Sequence, residues 1–476
     1  MYMKTETETQ KSKRKEKEQC ELTRLKKLMD QPSRMHAFWF LLIILTIIYI
    51  ADEISSSITG VMKPFMIFDL FQVPNADTTS TQYESAISVM AIATIPSYII
   101  MIVNPLYKTL ADRWGRKMFL VINTFGMGIG MLICMVAPNP YIFILGSCIL
   151  GFFTPNDMQV IYLMETAPKQ HRAKLCSITK GIGLLSVSLI GVLRAIFYDP
   201  EDLSTWRLVY IVPVLITLIV ACVAFFFTKE TPVFLKKRVE YLSKTDEERA
   251  AEAAQSTSGE EKASLSVALK YIFKTKQCRM ILIVLLIFSV AIGMSGYATE
   301  ILLASGHMTN DNMNLYYILQ PIIYAVCAIF SGFITDAIGR KNAGLLFGIV
   351  AAVSMAVFVF GAKAGIGPVA LACAYGLMYG GMWSFSDLMF LTLPAESAPT
   401  HIRASVMSLL SYAYVTSMIS TILVGVFYQH IGSENIGVFQ LIFFAPIMIF
   451  SAVFLKVTVK ETNGRDLTKV GGDDEE

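Results

Sequence analysis

Twelve stretches of predominantly apolar residues, each about twenty long, follow one another along this 476-residue chain, separated by short polar, glycine or proline breaks. Wound as a helix rising 1.5 Å per residue, a segment of that length matches the roughly 30 Å hydrocarbon core of a bilayer. In lipid each backbone N–H and C=O has to find its partner inside the segment, so runs of this kind are helices. The spans read as 37–59, 84–107, 118–138, 140–163, 174–197, 207–228, 278–302, 313–335, 342–362, 368–393, 405–428 and 435–459. A composition of 54% hydrophobic and only 16% charged residues, with a mean hydropathy of +0.55, is too apolar for a soluble domain. The expected fold is an all-α membrane protein of twelve transmembrane helices.

The placement of Lys and Arg orients these spans. With the amino terminus inside, 35 of the 40 basic residues fall on the cytoplasmic side, leaving Lys63, Lys180, Arg194, Arg207 and Lys363 elsewhere. The positive-inside rule therefore puts both termini in the cytoplasm of a cell lying behind a plasma or inner membrane. Residues 1–36, rich in Lys, Glu and Thr, have no apolar core or small-residue cleavage site, so they read as a cytoplasmic tail ahead of a retained first span. "KSKRKEKE" alternates basic residues with Glu and precedes a membrane span, which suits anionic lipid better than nucleic acid. Of eight Cys, all but Cys20 sit in or at the edge of spans, where they act as small hydrophobes rather than a disulfide framework.

Residues 229–277 form the one long polar interval inside the chain, a cytoplasmic linker expected to be part helical and part flexible. It separates an amino-terminal bundle at 37–228 from a carboxy-terminal bundle at 278–459, with a final tail at 460–476. The bundles are repeats of one unit. "METAPKQHRA" at 164–173 corresponds to "AESAPTHIRA" at 395–404, and "KET" at 229–231 returns at 460–462, so that Glu165 and Glu396, Arg172 and Arg403, and Lys229 and Lys460 are each 231 positions apart. "LADRWGRKMFL" at 110–120 returns as "ITDAIGRKNAG" at 334–344, and Asp157 has its counterpart in Asp387. Each D-x-x-G-R-K string lies after the second helix of its unit. There Gly permits a tight turn, Arg and Lys hold the loop inside, and Asp can meet the positive end of a neighbouring helix.

On these strings, with "TWR" at 205–207, "KETPVFL" at 229–235 and "KETNGRDL" at 460–467, the chain resembles the major facilitator superfamily over almost its whole length, and within it the sugar-porter and metabolite-proton symporter branch. The resemblance implies two pseudo-symmetric six-helix bundles that rock about a central cavity lined by spans 1, 4, 7 and 10, with 5, 8 and 11 beside them. It also implies that Asp112, Arg113, Arg116, Glu165, Arg172, Asp336, Arg340, Lys341, Glu396 and Arg403 form cytoplasmic ion-pair networks that latch the halves while the inside is closed. The chain departs from the sugar-porter pattern in lacking a Gln pair in "VAIGMSGYATEILLASG", in carrying Leu391 where that pattern has Trp, and in lacking a basic residue in "YIFILGSCILGFF". These departures point away from a sugar.

Ionisable groups inside spans are costly, roughly 2.5–3.5 kcal/mol at the centre on insertion scales, so each is a functional candidate. Asp52 and Glu53 in "YIADEISSSITG" lie near the middle of span 1, and adjacent positions differ by about 100° around a helix, so at most one faces the cavity squarely. Asp52 is the first choice for proton coupling, with Glu53, Asp157 and Asp387 beside it; solvation at the outer end of a long helix is the plainer alternative. Candidate substrate contacts are Gln159, Tyr162, Tyr297, Gln320, Tyr324, Tyr379, Trp383 and Arg194, with Tyr49, Tyr412 and several Met among them. The structural alternative for such Met and aromatic residues is helix packing. Glu300 reads as a rim or gate residue. Lys180 and Arg194 on span 5 either attract an anion or, more economically, snorkel to opposite surfaces.

The expected function is proton-coupled uptake of a small organic solute, an amphipathic aromatic or steroid acid ahead of a sugar, with sugar symport, drug efflux by antiport and a non-transporting sensor as alternatives. No nucleotide-binding GxxxxGK[ST] loop, H-E-x-x-H string or paired-Cys metal pattern occurs. The expected partners are therefore the solute, protons and the bilayer, with no enzyme activity, no cofactor, no metal and no nucleic acid, in a monomer. A cysteine introduced as Lys108→Cys or Lys341→Cys should react with an impermeant maleimide from the cytoplasmic face only, and labelling from outside would overturn the topology.

Overall fold

The computed structural model describes residues 16, 19–27, 35–96, 98–99, 107, 115–154, 158–168, 172–245, 248, 261–399 and 402–464. The spans are α1 (Met35–Leu70), α2 (Thr81–Ala93), α3 (Arg116–Val136), α4 (Pro140–Phe153, continuing as Met158–Thr166), α5 (Arg172–Ser186 and Ser188–Phe197) and α6 (Leu203–Tyr210 into Ile211–Phe227). The second half supplies α7 (Lys276–Gly293 and Ala298–Ala304), α8 (Asn310–Ile338), α9 (Arg340–Ala364), α10 (Pro368–Asp387, then a π-helical turn and Leu393–Ser397), α11 (Arg403–Ser411 into Val415–Val426) and α12 (Ile436–Thr458). Among the described residues ten helices are long and apolar enough to cross a membrane. The other two of the twelve are α2, whose sequence runs on outside the described residues, and α10, made less apolar by its Gly, Ser and Asp387. Between the halves the linker forms helices Pro232–Ser243 and Glu261–Lys274.

Local chemistry sets the ends of these helices. Ser80, Asn139 and Thr309 cap α2, α4 and α8 by accepting from Tyr83, Ile142 and Asn312 backbone N–H, and Thr231 caps the first linker helix ahead of Pro232. α1 corrects the expected span of 37–59. It continues to Leu70, because Lys63 finds a carboxylate partner and Pro64 is accommodated within the helix, and Asp52 and Glu53 lie at mid-helix, near the middle of the span as expected. α7 breaks between Gly293 and Ala298, and the Tyr375 hydroxyl donates to the freed Ser295 carbonyl at 2.6 Å. Such a break is tolerated at membrane depth when the released backbone group finds a partner in the protein.

Packing within each half joins α3 to α4 and α6, and α9 to α10 and α12. Two symmetry-related seams join the halves, α5 against α8 and α2 against α11. The first seam is close enough to need Gly191: a Cβ there would lie 2.7 Å from the Ile318 nitrogen and 2.8 Å from the Tyr317 carbonyl carbon. Gly191→Val should therefore overpack the seam at a cost of about 1–3 kcal/mol, visible as a lower Tm of the purified carrier; an unchanged Tm would mean that α5 and α8 do not meet there.

Candidate functional site

The charged residues sort into three levels along the seam between the halves. The end bearing the basic loops is called the inner end, after the orientation expected from charge asymmetry, and the opposite end the outer one.

At the outer end the halves are bridged. Lys63 of α1 lies 2.6 Å from the Glu300 carboxylate of α7 and 4.0 Å above the Tyr297 ring, and Glu300 is almost wholly buried. Glu84 of α2 accepts from the Ser433 backbone N–H at 2.8 Å, and the Ser433 hydroxyl donates to the Thr78 carbonyl. Arg194 of α5 is 1% exposed and donates to the Asn310 side chain at 2.7 Å and to the Asn314 side chain, both on α8. Its guanidinium also sits 4.5 Å from the centre of the Phe65 ring and 4.7 Å from that of Tyr198. Below the outer loops Arg207 and the Trp206 indole N–H both meet Asp69.

At middle depth α1 turns its adjacent acids in different directions. Asp52 is 8% exposed and accepts from Gln159 Nε2 of α4 at 2.8 Å, inside its own half. Glu53 lies toward α5, where a Cβ on Gly183 would touch the Tyr49 ring and come within 3.3 Å of the Glu53 side chain. From the other half Tyr324 of α8 lies within electrostatic reach of Tyr379, Glu53, Asp387 and Tyr49. Tyr324 meets Tyr379 edge-on at 5.1 Å, and Tyr379 meets Trp383 at 6.0 Å. Across the seam Lys180 Nζ of α5 is 3.5 Å from Asp387 Oδ2 of α10, with both side chains nearly half exposed, 46% and 43%.

At the inner end one arrangement occurs twice. Gly115 and Gly339 have φ of +98° and +84° and cap α3 and α9, and a Cβ on either would run into Glu230 or Glu461 respectively. Glu230 accepts from the Arg116 backbone N–H at 2.8 Å, and Glu461 from that of Arg340 at 2.9 Å, filling the positive ends of the two helices. The Arg116 side chain then bonds Glu165 at 3.1 Å while Arg340 bonds Glu396 at 2.8 Å and Asp336 at 2.9 Å. Thr231 and Thr462 donate to the second oxygens of Glu165 and Glu396. The contacts described for each network lie within its own half and its following segment. Burial dominates at Glu230 and holds its carboxyl above the ordinary value. At Glu461 burial pushes the same way but is outweighed by backbone N–H groups of Lys341, Arg340, Asn463 and Thr462, leaving it below the ordinary value.

Of the residues singled out by sequence, the structure gathers Glu53, Tyr324, Tyr379, Trp383 and Asp387 at middle depth, with half-buried Gln320 further along α8. Asp52 and Gln159 pair with each other. Tyr297 and Arg194 are at the outer bridge, and Tyr162 donates to the Lys229 carbonyl at the inner end. Arg403 donates to the Ala398 carbonyl at 3.2 Å, and Arg172 starts α5. Asp112, Arg113 and Asp157 lie outside the described residues. Sequence reasoning missed Glu230 and Glu461, although the repeated "KET" carried the signal: its Glu and Thr make the contacts. It also assigned no partner to Lys63 or Lys180, since α7 and α10 are more than 200 positions away.

Residues 35–419 match the family model of the Major Facilitator Superfamily. The chain is 23% identical over 396 residues to the glucose transporter GlcP of Staphylococcus epidermidis, covering 76% of this chain and 83% of that one. It is 27% identical over 398 residues to YwtG of Bacillus subtilis, named for metabolite transport, covering 76% and 82%. Its structure superposes on an inward-open xylose transporter XylE from E. coli with a TM-score of 0.64 at 16% identity, covering 91% of this chain and 98% of the other, a likeness of fold.

The two inner networks should differ in their response to acid. Because the Glu461 carboxyl is lowered on folding, its contribution to stability is present above the unfolded carboxyl range and is lost as pH falls through the lowered value. The Tm deficit of Glu461→Gln relative to the parent should therefore be largest near neutrality and shrink toward pH 4, roughly the unfolded Glu value. Glu230, raised on folding, works in the opposite sense, so Glu230→Gln should show no such shrinking deficit. Parallel pH profiles for the two variants would contradict this.

Proposed function

From the premise that this chain belongs to the major facilitator superfamily, we propose that it is a proton-coupled symporter that carries a small organic solute, an amphipathic organic acid in preference to a sugar, across the plasma or inner membrane into the cell. The observation that carries this reading is the middle cluster. Glu53, Lys180 and Asp387 stand with Tyr324, Tyr379 and Trp383 on the seam between the halves, where proton and solute act on one two-state equilibrium. A ligand that binds both states equally shifts nothing, so a coupling group has to sit where the two states differ, and the seam is that place.

The bridged outer end and the separate inner networks are the arrangement of a carrier facing the cytoplasm. Lys63 with Glu300, and Arg194 with Asn310 and Asn314, close the outer end in this state, and Tyr297 stacks beneath the first pair. Arg116 with Glu165 and Arg340 with Glu396, joined by Asp112, Arg113, Arg172, Asp336 and Arg403, bring the inner ends together in the opposite state. Asp52, held by Gln159, sets the α1–α4 contact, while Glu53, Asp387 and Asp157 take the coupling proton; Gln320 flanks the path, and Tyr162 holds the Lys229 carbonyl at the inner end. Repeated ion pairs coupled to a two-state motion act as a switch where one exposed pair would contribute little.

A second reading, sugar symport, is favoured by the names of the relatives, a glucose transporter at 23% identity and a xylose transporter of the same fold. Uptake into proteoliposomes of sugars, aromatic acids and steroid acids, with and without an inward proton gradient, tests both. Gradient-driven uptake of an acid should fall by at least about tenfold in Glu53→Gln, a loss of about 1.4 kcal/mol or more in coupling, and fall less in Asp52→Asn. Gradient-driven uptake of a sugar alone would establish the second reading, and uptake indifferent to pH in the parent would overturn coupling.

A further inference from the structure

We propose that Lys180 is the carboxylate-binding residue of this carrier and that Asp387 is the group it releases, so that each bound organic anion brings one proton with it. This rests on the reading as a proton-coupled carrier and names the substrate class of the same site.

Three ion pairs among the described residues join groups at membrane depth, and they differ in accessibility. Lys63 and Glu300 side chains are 22% and 2% exposed, Arg207 and Asp69 26% and 22%, but Lys180 and Asp387 46% and 43%. The first two are enclosed and further held, by the Tyr297 ring and by the Trp206 indole. The third is long for its kind, at 3.5 Å, a single contact rather than a forked one, and nearly half exposed on both side chains. A half-exposed pair of this geometry contributes little to holding the halves together. A soluble carboxylate is a direct competitor for its ammonium.

The exchange balances. In the empty carrier Lys180 ammonium and Asp387 carboxylate sum to zero. An incoming RCOO⁻ takes the ammonium and leaves Asp387 as an uncompensated carboxylate within electrostatic reach of Tyr324 of α8. Loss of the counter-ion favours the protonated acid, so one proton enters with the anion. RCOO⁻ on Lys180 and Asp387 as COOH again sum to zero. Loading therefore adds no charge to what the carrier moves through the membrane, where moving one would be expensive. Tyr379 and Trp383 next to Asp387 supply the flat apolar surface for the body of the acid.

The pair also explains why its partners sit on α5 and α10. These helices belong to different halves, so a ligand that breaks the contact changes what the two halves hold between them, as a coupled ligand must.

The test pairs acids with their neutral amides, benzoate with benzamide and phenylacetate with phenylacetamide, together with glucose and xylose, against purified full-length carrier by isothermal calorimetry in buffers of different ionisation enthalpy. Expected are binding of a carboxylate but not of its amide, uptake of about one proton per anion by linkage, and weakening of at least about tenfold in Lys180→Met with recovery in Lys180→Arg. Asp387→Asn should keep or tighten anion binding while proton uptake disappears, an outcome a merely structural role would not produce. Both side chains are nearly half exposed, and elution of each variant as a single sharp species in size-exclusion chromatography checks that it has folded. Binding of only the sugars or amides, no carboxylate binding at all, or carboxylate binding equally tight in Lys180→Met overturns the proposal. Gradient-driven sugar uptake unaffected by Lys180→Met would leave proton-coupled transport standing and remove the carboxylate site, whereas anion binding with proton uptake but no gradient-driven flux would do the reverse.

Discussion

Charge at membrane depth has to be neutralised or hydrated, and the interior of this protein is organised around that requirement. Where a charge is enclosed it has a dedicated partner: Glu300 has Lys63, Asp69 has Arg207 and the Trp206 indole, and Asp52 has the Gln159 amide. Arg194 is the instructive case. Its guanidinium is 1% exposed and is held by Asn310 and Asn314 oxygens and by aromatic faces. Neutral dipoles and π-faces suffice for Arg, whose delocalised charge is weakly hydrated. The outer bridge at this point therefore needs no titrating partner.

Because several of these groups find their partners across the seam, pairing and conformational state are linked. Lys63 and Glu300, Arg194 and Asn310, Glu84 and the Ser433 N–H all join one half to the other at the outer end. Separating the halves there uncovers all of these groups together, which makes the closed outer end a discrete state rather than one end of a continuum. The pair left half exposed, Lys180 with Asp387, is correspondingly the one a solute can reach and exchange.

The inner networks show how a duplicated plan diverges. Both halves cap a helix with a glycine of positive φ, a carboxylate on the first backbone N–H groups and an Arg bonded to a second Glu. Yet burial wins at Glu230 while the N–H donors win at Glu461, so the carboxyls of matching residues are shifted in opposite directions from the ordinary value. Asp336 bonds Arg340 in the second copy, beside an Ala337 that stands where the first copy has Arg113.

The twelve spans, the division at 229–277, the duplicated loops and the orientation expected from basic residues are all properties of contiguous sequence, since length, hydropathy and charge act on each segment separately. Even the inner contacts were half legible, because duplication printed "GRK", "E-x-A-P" and "KET" twice at constant spacing. Direction was not legible. Asp52 and Glu53 are neighbours with equal claims, and only the packing of α1 against α4 and α5 turned the first to Gln159 and the second toward Tyr324 and Asp387. Lys180 passed as a residue snorkelling to the surface until α10 brought Asp387 to it from 207 positions away. Which segments cross the membrane, and that they form two copies of one unit, was thus written along the chain, because insertion depends on local apolarity. Which charges meet was settled only by folding, because a partner across the seam is set by how two bundles rotate and pack, and no local pattern records that angle.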